Sequence, residues 1–136
     1  LYNILATTPE TAMRDVPQFI NAYQSLFKQT GAKFASIKTQ EAAIKEGLKF
    51  VKYYFPEYKL PTKLITFIGP INSFGNIITI DALAIGLQMY LGKNDPIYLS
   101  EEGQNLYPVY VSRRFERAYM ATNCMKNIHI DMIIIS

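Results

Sequence analysis

Few residues in this chain can do chemistry, and their spacing suits few reactions. His129 is its one histidine and Cys124 its one cysteine. A catalytic zinc takes three protein ligands, most often imidazole or thiolate, so these residues make neither an HExxH pair nor a zinc site. No metal or other cofactor is expected. His129 stands between Ile128 and Ile130, which suits the face of a strand or helix. A Cys124–His129 pair would need a polar setting that activates the thiolate. Beside Met125 the cysteine reads more simply as a small buried hydrophobe. No serine lies in a GxSxG elbow. Asp81, Asp95, Glu101 and Glu102 are candidates for paired-carboxylate chemistry. Asp81 is better explained as a helix cap, and the two glutamates as a solvated loop. Gly69, Gly75 and Gly86 lack the spacing of a phosphate-binding loop. Arg113, Arg114 and Arg117 fall within about one helical turn, beside Tyr110 and Phe115, and can present a cationic face to a carboxylate-bearing partner. The plainer alternative pairs them with Glu116 and loop acids. The ten tyrosines cluster in YYFPEY and at Tyr107, Tyr110 and Tyr119. They suit a glycan or peptide groove or, as expected of large rings with a polar tip, a core whose hydroxyls reach the surface.

Composition narrows the partners. A net charge of +3, from 14 basic and 11 acidic residues, with no basic run longer than Arg113–Arg114, argues against nucleic acid. One cysteine gives no intrachain disulfide framework. No run reaches the roughly 18 apolar residues of a membrane span, and no signal peptide opens the chain. The start at Leu1 suggests a processed or trimmed product, and the apolar run 132–135 reads as an interrupted element. With 136 residues and a 49% hydrophobic fraction, the chain reads as a single domain over 1–136 with a real core, or as a fragment of a longer domain.

The elements that must position these residues follow from periodicity. Thr8 and Pro9 read as an N-cap and first helical residue. Met13, Val16, Phe19, Ile20, Tyr23, Leu26 and Phe27 continue that helix, kinked or split at Pro17 and ended by Gly31. A second helix begins after Thr39, carries Ala43, Ile44, Leu48, Phe50 and Val51 on one stripe, is weakened at Gly47 and stops at Pro56. Residues 63–68 and 76–80 are β-rich and read as a hairpin or neighbouring strands. Residues 81–91 then read as a helix: Asp81 as N-cap, only Gln88 strongly polar, and Gly92 placed for a left-handed C-cap before Lys93 and Pro96. Apolar on nearly every face, that helix must be buried. A polar loop over 93–105 and a helix over about 108–119 complete the order. Clustered strands flanked by helices predict α+β, with helices packed on one face of a small sheet around a buried central helix at 81–91.

The block DALAIGLQMYLG, with KYYFPEYKLP before it and YPVYVSRRFERAYM after it, resembles the gliding-motility-associated lipoprotein family GldB of Bacteroidetes. The resemblance covers roughly 47–125, and Asp81, Gly86, Tyr90 and Gly92 carry its most specific part. Gln88 replaces an acid and Arg117 a proline. The resemblance implies an envelope lipoprotein, facing the periplasm or anchored in the outer membrane through a lipidated cysteine upstream of Leu1. Its layout is similar to zincin metallopeptidases, whose HExxH helix would correspond here to 81–91, without metal-binding residues. The function so implied is that of a non-catalytic accessory or scaffold protein, gliding-motility related. It would contact an envelope protein through Arg113, Arg114, Arg117 and Tyr110. The alternatives are a zinc-type hydrolase relative whose catalytic residues lie outside this chain, and a peptide- or glycan-binding module.

Overall fold

A computed structural model describes residues 9–72 and 75–135. Helices α1 (Pro9–Ala22), α2 (Gln24–Lys33) and α3 (Lys38–Tyr54) precede strands β1 (Lys63–Phe67), β2 (Asn76–Ile78) and β3 (Ala82–Gly86). A 3-10 turn (Leu87–Met89) leads to short helices α4 (Pro96–Leu99), α5 (Glu101–Leu106) and α6 (Val109–Ser112). A second 3-10 turn (Arg117–Tyr119) opens the long helix α7 (Met120–Ile135). The class is α+β. Thr8 lies outside the described residues. Helix α1 runs through Pro17, and the break falls at Tyr23 instead. Pro17 is exposed, so water can serve the carbonyl that its missing amide leaves free.

Residues 81–91 are not a helix. They form β3, buried at every position, followed by the 3-10 turn. A short apolar run carries no period that separates a buried strand from a buried helix. Neighbours decide: β3 pairs in parallel with β1 and antiparallel with β2, giving the order β1-β3-β2. The runs 63–68 and 76–80 therefore do not pair with each other; β3 lies between them. Asp81 caps nothing. Its carbonyl accepts the amides of Thr62 (2.9 Å) and Lys63 (3.1 Å), and its carboxylate meets the Lys63 ammonium at 3.2 Å. Gly92 does have positive φ, +110°, but it follows the 3-10 turn and donates its amide to the Phe115 carbonyl at 2.8 Å.

The register sets Leu64, Leu83 and Ile78 in one row across the sheet. That face packs with Ile44 and Leu48 of α3 and with Met120, Cys124 and Met125 of α7. The opposite face carries the row Ile65–Ala84–Ile77, with Ile65 and Ile77 exposed. A second core joins Leu26, Ile71, Leu91, Tyr98 and Phe115. The expected loop over 93–105 holds α4 and α5 instead. Asp95 accepts the Ile97 amide at 3.0 Å and Ser100 accepts the Gly103 amide at 3.0 Å, each as an N-cap. The helix expected over 108–119 is broken between α6 and α7, where Phe115 turns inward to the second core.

Candidate functional site

Helix α7 lies along the antiparallel edge strand β2. Asn123 and Asn127, four residues apart, share the α7 face turned to that strand. Asn123 Nδ2 donates to the Tyr90 hydroxyl at 3.3 Å, and that hydroxyl donates to Asn76 Oδ1 at 3.1 Å. Asn127 Nδ2 donates to the Asn76 carbonyl at 3.4 Å. Asn76 Nδ2 lies 3.7 Å from Cys124 Sγ. Tyr90 is buried, and burial raises its pKa against the opposing effect of the two carboxamides. Three asparagines and a tyrosine thus join β2, the segment after β3, and α7.

Below this network a groove of about 270 Å³ opens between β2 and α7. Asn76, Ile77, Ile78, Asn127, Ile130, Asp131 and Ile134 line it. Asp131 accepts the Tyr58 hydroxyl at 2.5 Å. Burial and then that carboxylate push the Tyr58 pKa well above its ordinary value. Among the described residues no Lys or Arg pairs with Asp131.

The groove is poorly equipped for catalysis. Two zinc ligands four apart on a helix is the HExxH arrangement; the two α7 residues so spaced beside β2, Asn123 and Asn127, are neutral carboxamides. Among the described residues no group of three His, Cys, Asp or Glu is placed to hold a metal. Cys124 is fully buried, and burial pushes its thiol up to about 12. His129 is exposed, and five residues is about 140° around a helix, so the two form no pair. A second cavity, about 360 Å³ beside Ser25, Glu102 and Gly103, has Ser100 on its wall. That hydroxyl is committed to the Ile97 carbonyl and the Gly103 amide. Asp95 is equally occupied, by the Ile97 amide, Gln29 and Lys33.

The three arginines part company. Arg113 and Arg114 are exposed, as is Tyr110. Arg117 donates to the carbonyls of Lys33 (2.6 Å) and Ser36 and to Gln40 Oε1 (3.0 Å), with its guanidinium 5.1 Å from the Phe34 ring centre. It joins the α2–α3 turn to the start of α7. The tyrosines divide as well. Tyr58 and Tyr98 are core residues, whereas Phe50, Tyr53, Tyr54 and Phe55 stand out into solvent, against the core placement expected for YYFPEY. Phe50, Tyr53 and Tyr54 lie on α3's outer face, because Ile44 and Leu48 occupy the inner one, and Phe55 follows the helix end.

Residues 1–134 match the family described as gliding motility protein GldB. The chain belongs to the GldB family. Membership makes it a gliding-motility-related lipoprotein and associates it with the cell envelope. No curated protein and no solved structure matches it, and no helix among the described residues is long and apolar enough to cross a membrane. In this GldB-family chain the motif residue Asp81 immediately precedes β3, Gly86 ends it, and Tyr90 and Gly92 lie at its exit. Of these, Tyr90 alone joins the asparagine network. The sequence reading passed over Asn76, Asn123, Asn127 and Asp131, and took Tyr58 only within the YYFPEY cluster. The signal for part of that set was present: asparagines at i and i+4 on one helix face.

Proposed function

We propose that this chain is a non-catalytic accessory or scaffold lipoprotein of the cell envelope, related to gliding motility, that acts by holding another protein. It is tethered by a lipid attached upstream of Leu1 and works on the periplasmic side or at the outer membrane. The observation that carries the reading is the groove's lining: isoleucines, carboxamides and one carboxylate beside an open strand edge, with no nucleophile and no ligand set. Arg113, Arg114 and Tyr110 are retained as a further contact surface; Arg117 is left out because its guanidinium is bonded to Lys33, Ser36 and Gln40 within the fold.

The test has two arms. Purified protein given zinc is assayed for hydrolysis of a peptide mixture and for bound metal after dialysis. No turnover and no stoichiometric zinc are expected; about one zinc per chain surviving mild chelation, or zinc-dependent cleavage, overturns the non-catalytic reading. In parallel, lipidated, tagged protein is cross-linked in the source envelope, where a stoichiometric partner is expected. A second reading, a peptide- or glycan-binding module, is favoured by the exposed ring face of α3, on which Tyr53 and Tyr54 stack edge-to-face at 5.0 Å. Glycan-array binding abolished by Tyr53→Ala with Tyr54→Ala would establish it.

A further inference from the structure

We propose that the groove between β2 and α7 takes an extended peptide as a fourth strand, apolar at alternate positions and carrying a Lys or Arg that meets Asp131. The inference rests on the protein-holding function proposed above and names the chemistry of what is held. Its first support is the strand edge. Among the described residues β2 bonds to β3 alone in the three-stranded sheet. The Thr79 amide donates to the Ala82 carbonyl at 2.8 Å, and the Gly86 amide to the Gly75 carbonyl. By the alternation of an antiparallel ladder, Ile77 also faces β3, whereas Asn76 and Ile78 turn their amides and carbonyls to the open edge. Asn127 takes up the Asn76 carbonyl. The outward amides of Asn76 and Ile78 and the Ile78 carbonyl remain at strand spacing. Another extended backbone matches such a row, which is why open edges recruit strands.

The second support is the wall opposite. Ile130 is 46% and Ile134 76% exposed; one helical turn apart, they form an apolar ledge facing the strand edge. Side chains on one face of an added strand recur every second residue, so alternate apolar residues would reach the ledge. The third support is charge. Asp131 sits between those isoleucines with its Tyr58 bond made and, among the described residues, no cation paired to it. A basic residue in the incoming strand completes the pair. An anionic lipid headgroup meets repulsion there, and a glycan offers no backbone to the edge.

The experiment selects random dodecapeptides, displayed on phage, against the whole chain at physiological salt. Enriched peptides should alternate apolar residues and carry one Lys or Arg. A synthetic winner should bind with micromolar Kd and protect the Asn76 and Ile78 amides from hydrogen exchange. Ile134→Asp, at an exposed position, should weaken binding by about tenfold or more with the Tm held. Asp131→Lys should weaken it as much, with a lowered Tm because the buried Tyr58 hydroxyl loses its acceptor. A peptide with its Lys changed to Glu should regain binding to Asp131→Lys. Winners without alternation or indifferent to both substitutions, or binding matched by anionic vesicles, overturn the proposal. So do Asn76 and Ile78 amides already protected in the free protein. Should both variants still recover the native envelope partner, the groove proposal falls while the protein-holding reading stands. An envelope that yields no partner for any variant removes that reading itself.

Discussion

Arg117 and its two neighbours show how far residues of one type, close in sequence, can differ in work. The Arg117 guanidinium is bonded to two carbonyls and a carboxamide from another part of the chain, where a charged donor contributes more than a neutral one. Arg113 and Arg114 point to solvent. Arg117→Gln should therefore destabilise by about 1–2 kcal/mol, whereas Arg113→Gln with Arg114→Gln should stay within about 0.5 kcal/mol. Denaturant unfolding of the two variants measures this. Equal losses, or a larger one for the double variant, would return the exposed pair to internal ion pairing. The sequence spacing placed all three on one helical turn. The break after α6 is what separates them, and no local signal marked it.

Two glycines show what close approach demands of whole elements. Gly86 ends β3, where an added Cβ would meet the Gly75 carbonyl and the Gln88 carboxamide, 2.8 Å away at Nε2. Gly47 lies within α3, where the nearest atoms a Cβ would meet are those of the Met125 side chain. Backbone cannot step aside, but a methionine can choose another rotamer. Gly86→Ala should thus cost about 1–3 kcal/mol through overpacking. Gly47→Ala, which gains about 1 kcal/mol of helix propensity against the cost of moving Met125, should come out near neutral. Thermal unfolding of both decides; a Gly86→Ala protein as stable as the parent would mean that β2 and β3 can part at their ends. Helix α3, the β-rich runs and the α+β class were legible in the sequence. The strand at 82–86 was not, because a five-residue apolar run reads alike in either geometry, and although β2 is its hairpin neighbour, its parallel partner β1 is distant in sequence. For the same reason the groove stayed hidden. It exists because β3 displaces β2 to the edge, and nothing local to 76–78 or 123–134 records that.

The protein as a whole carries several weak acids that burial holds in the neutral form, and this gives its stability a direction with pH. The Cys124 thiol is pushed from its ordinary value of 9.0 up to about 12, by burial alone. Burial is also the leading cause for Tyr58, Tyr90, Tyr98 and Tyr107, all of them raised. In each case the unfolded chain releases its proton at a lower pH than the folded one. Below pH 9 both states are protonated at Cys124 and its contribution is fully present; as pH rises from 9 towards 12 the unfolded state alone ionises, and stability falls. The tyrosines add the same slope from about pH 10 upward. Urea midpoints should thus hold nearly constant between pH 7 and 8.5 and then drop steadily to pH 11, without change in the m-value. Cys124→Ala should flatten the part of that slope nearest pH 9 to 10 while lowering stability at pH 7 through the small cavity it leaves. The native thiol should also resist alkylation at pH 8.5 until denaturant is added. Rapid alkylation of the folded protein, or a midpoint that rises with alkaline pH, would place Cys124 in contact with solvent and reopen the question of its reactivity.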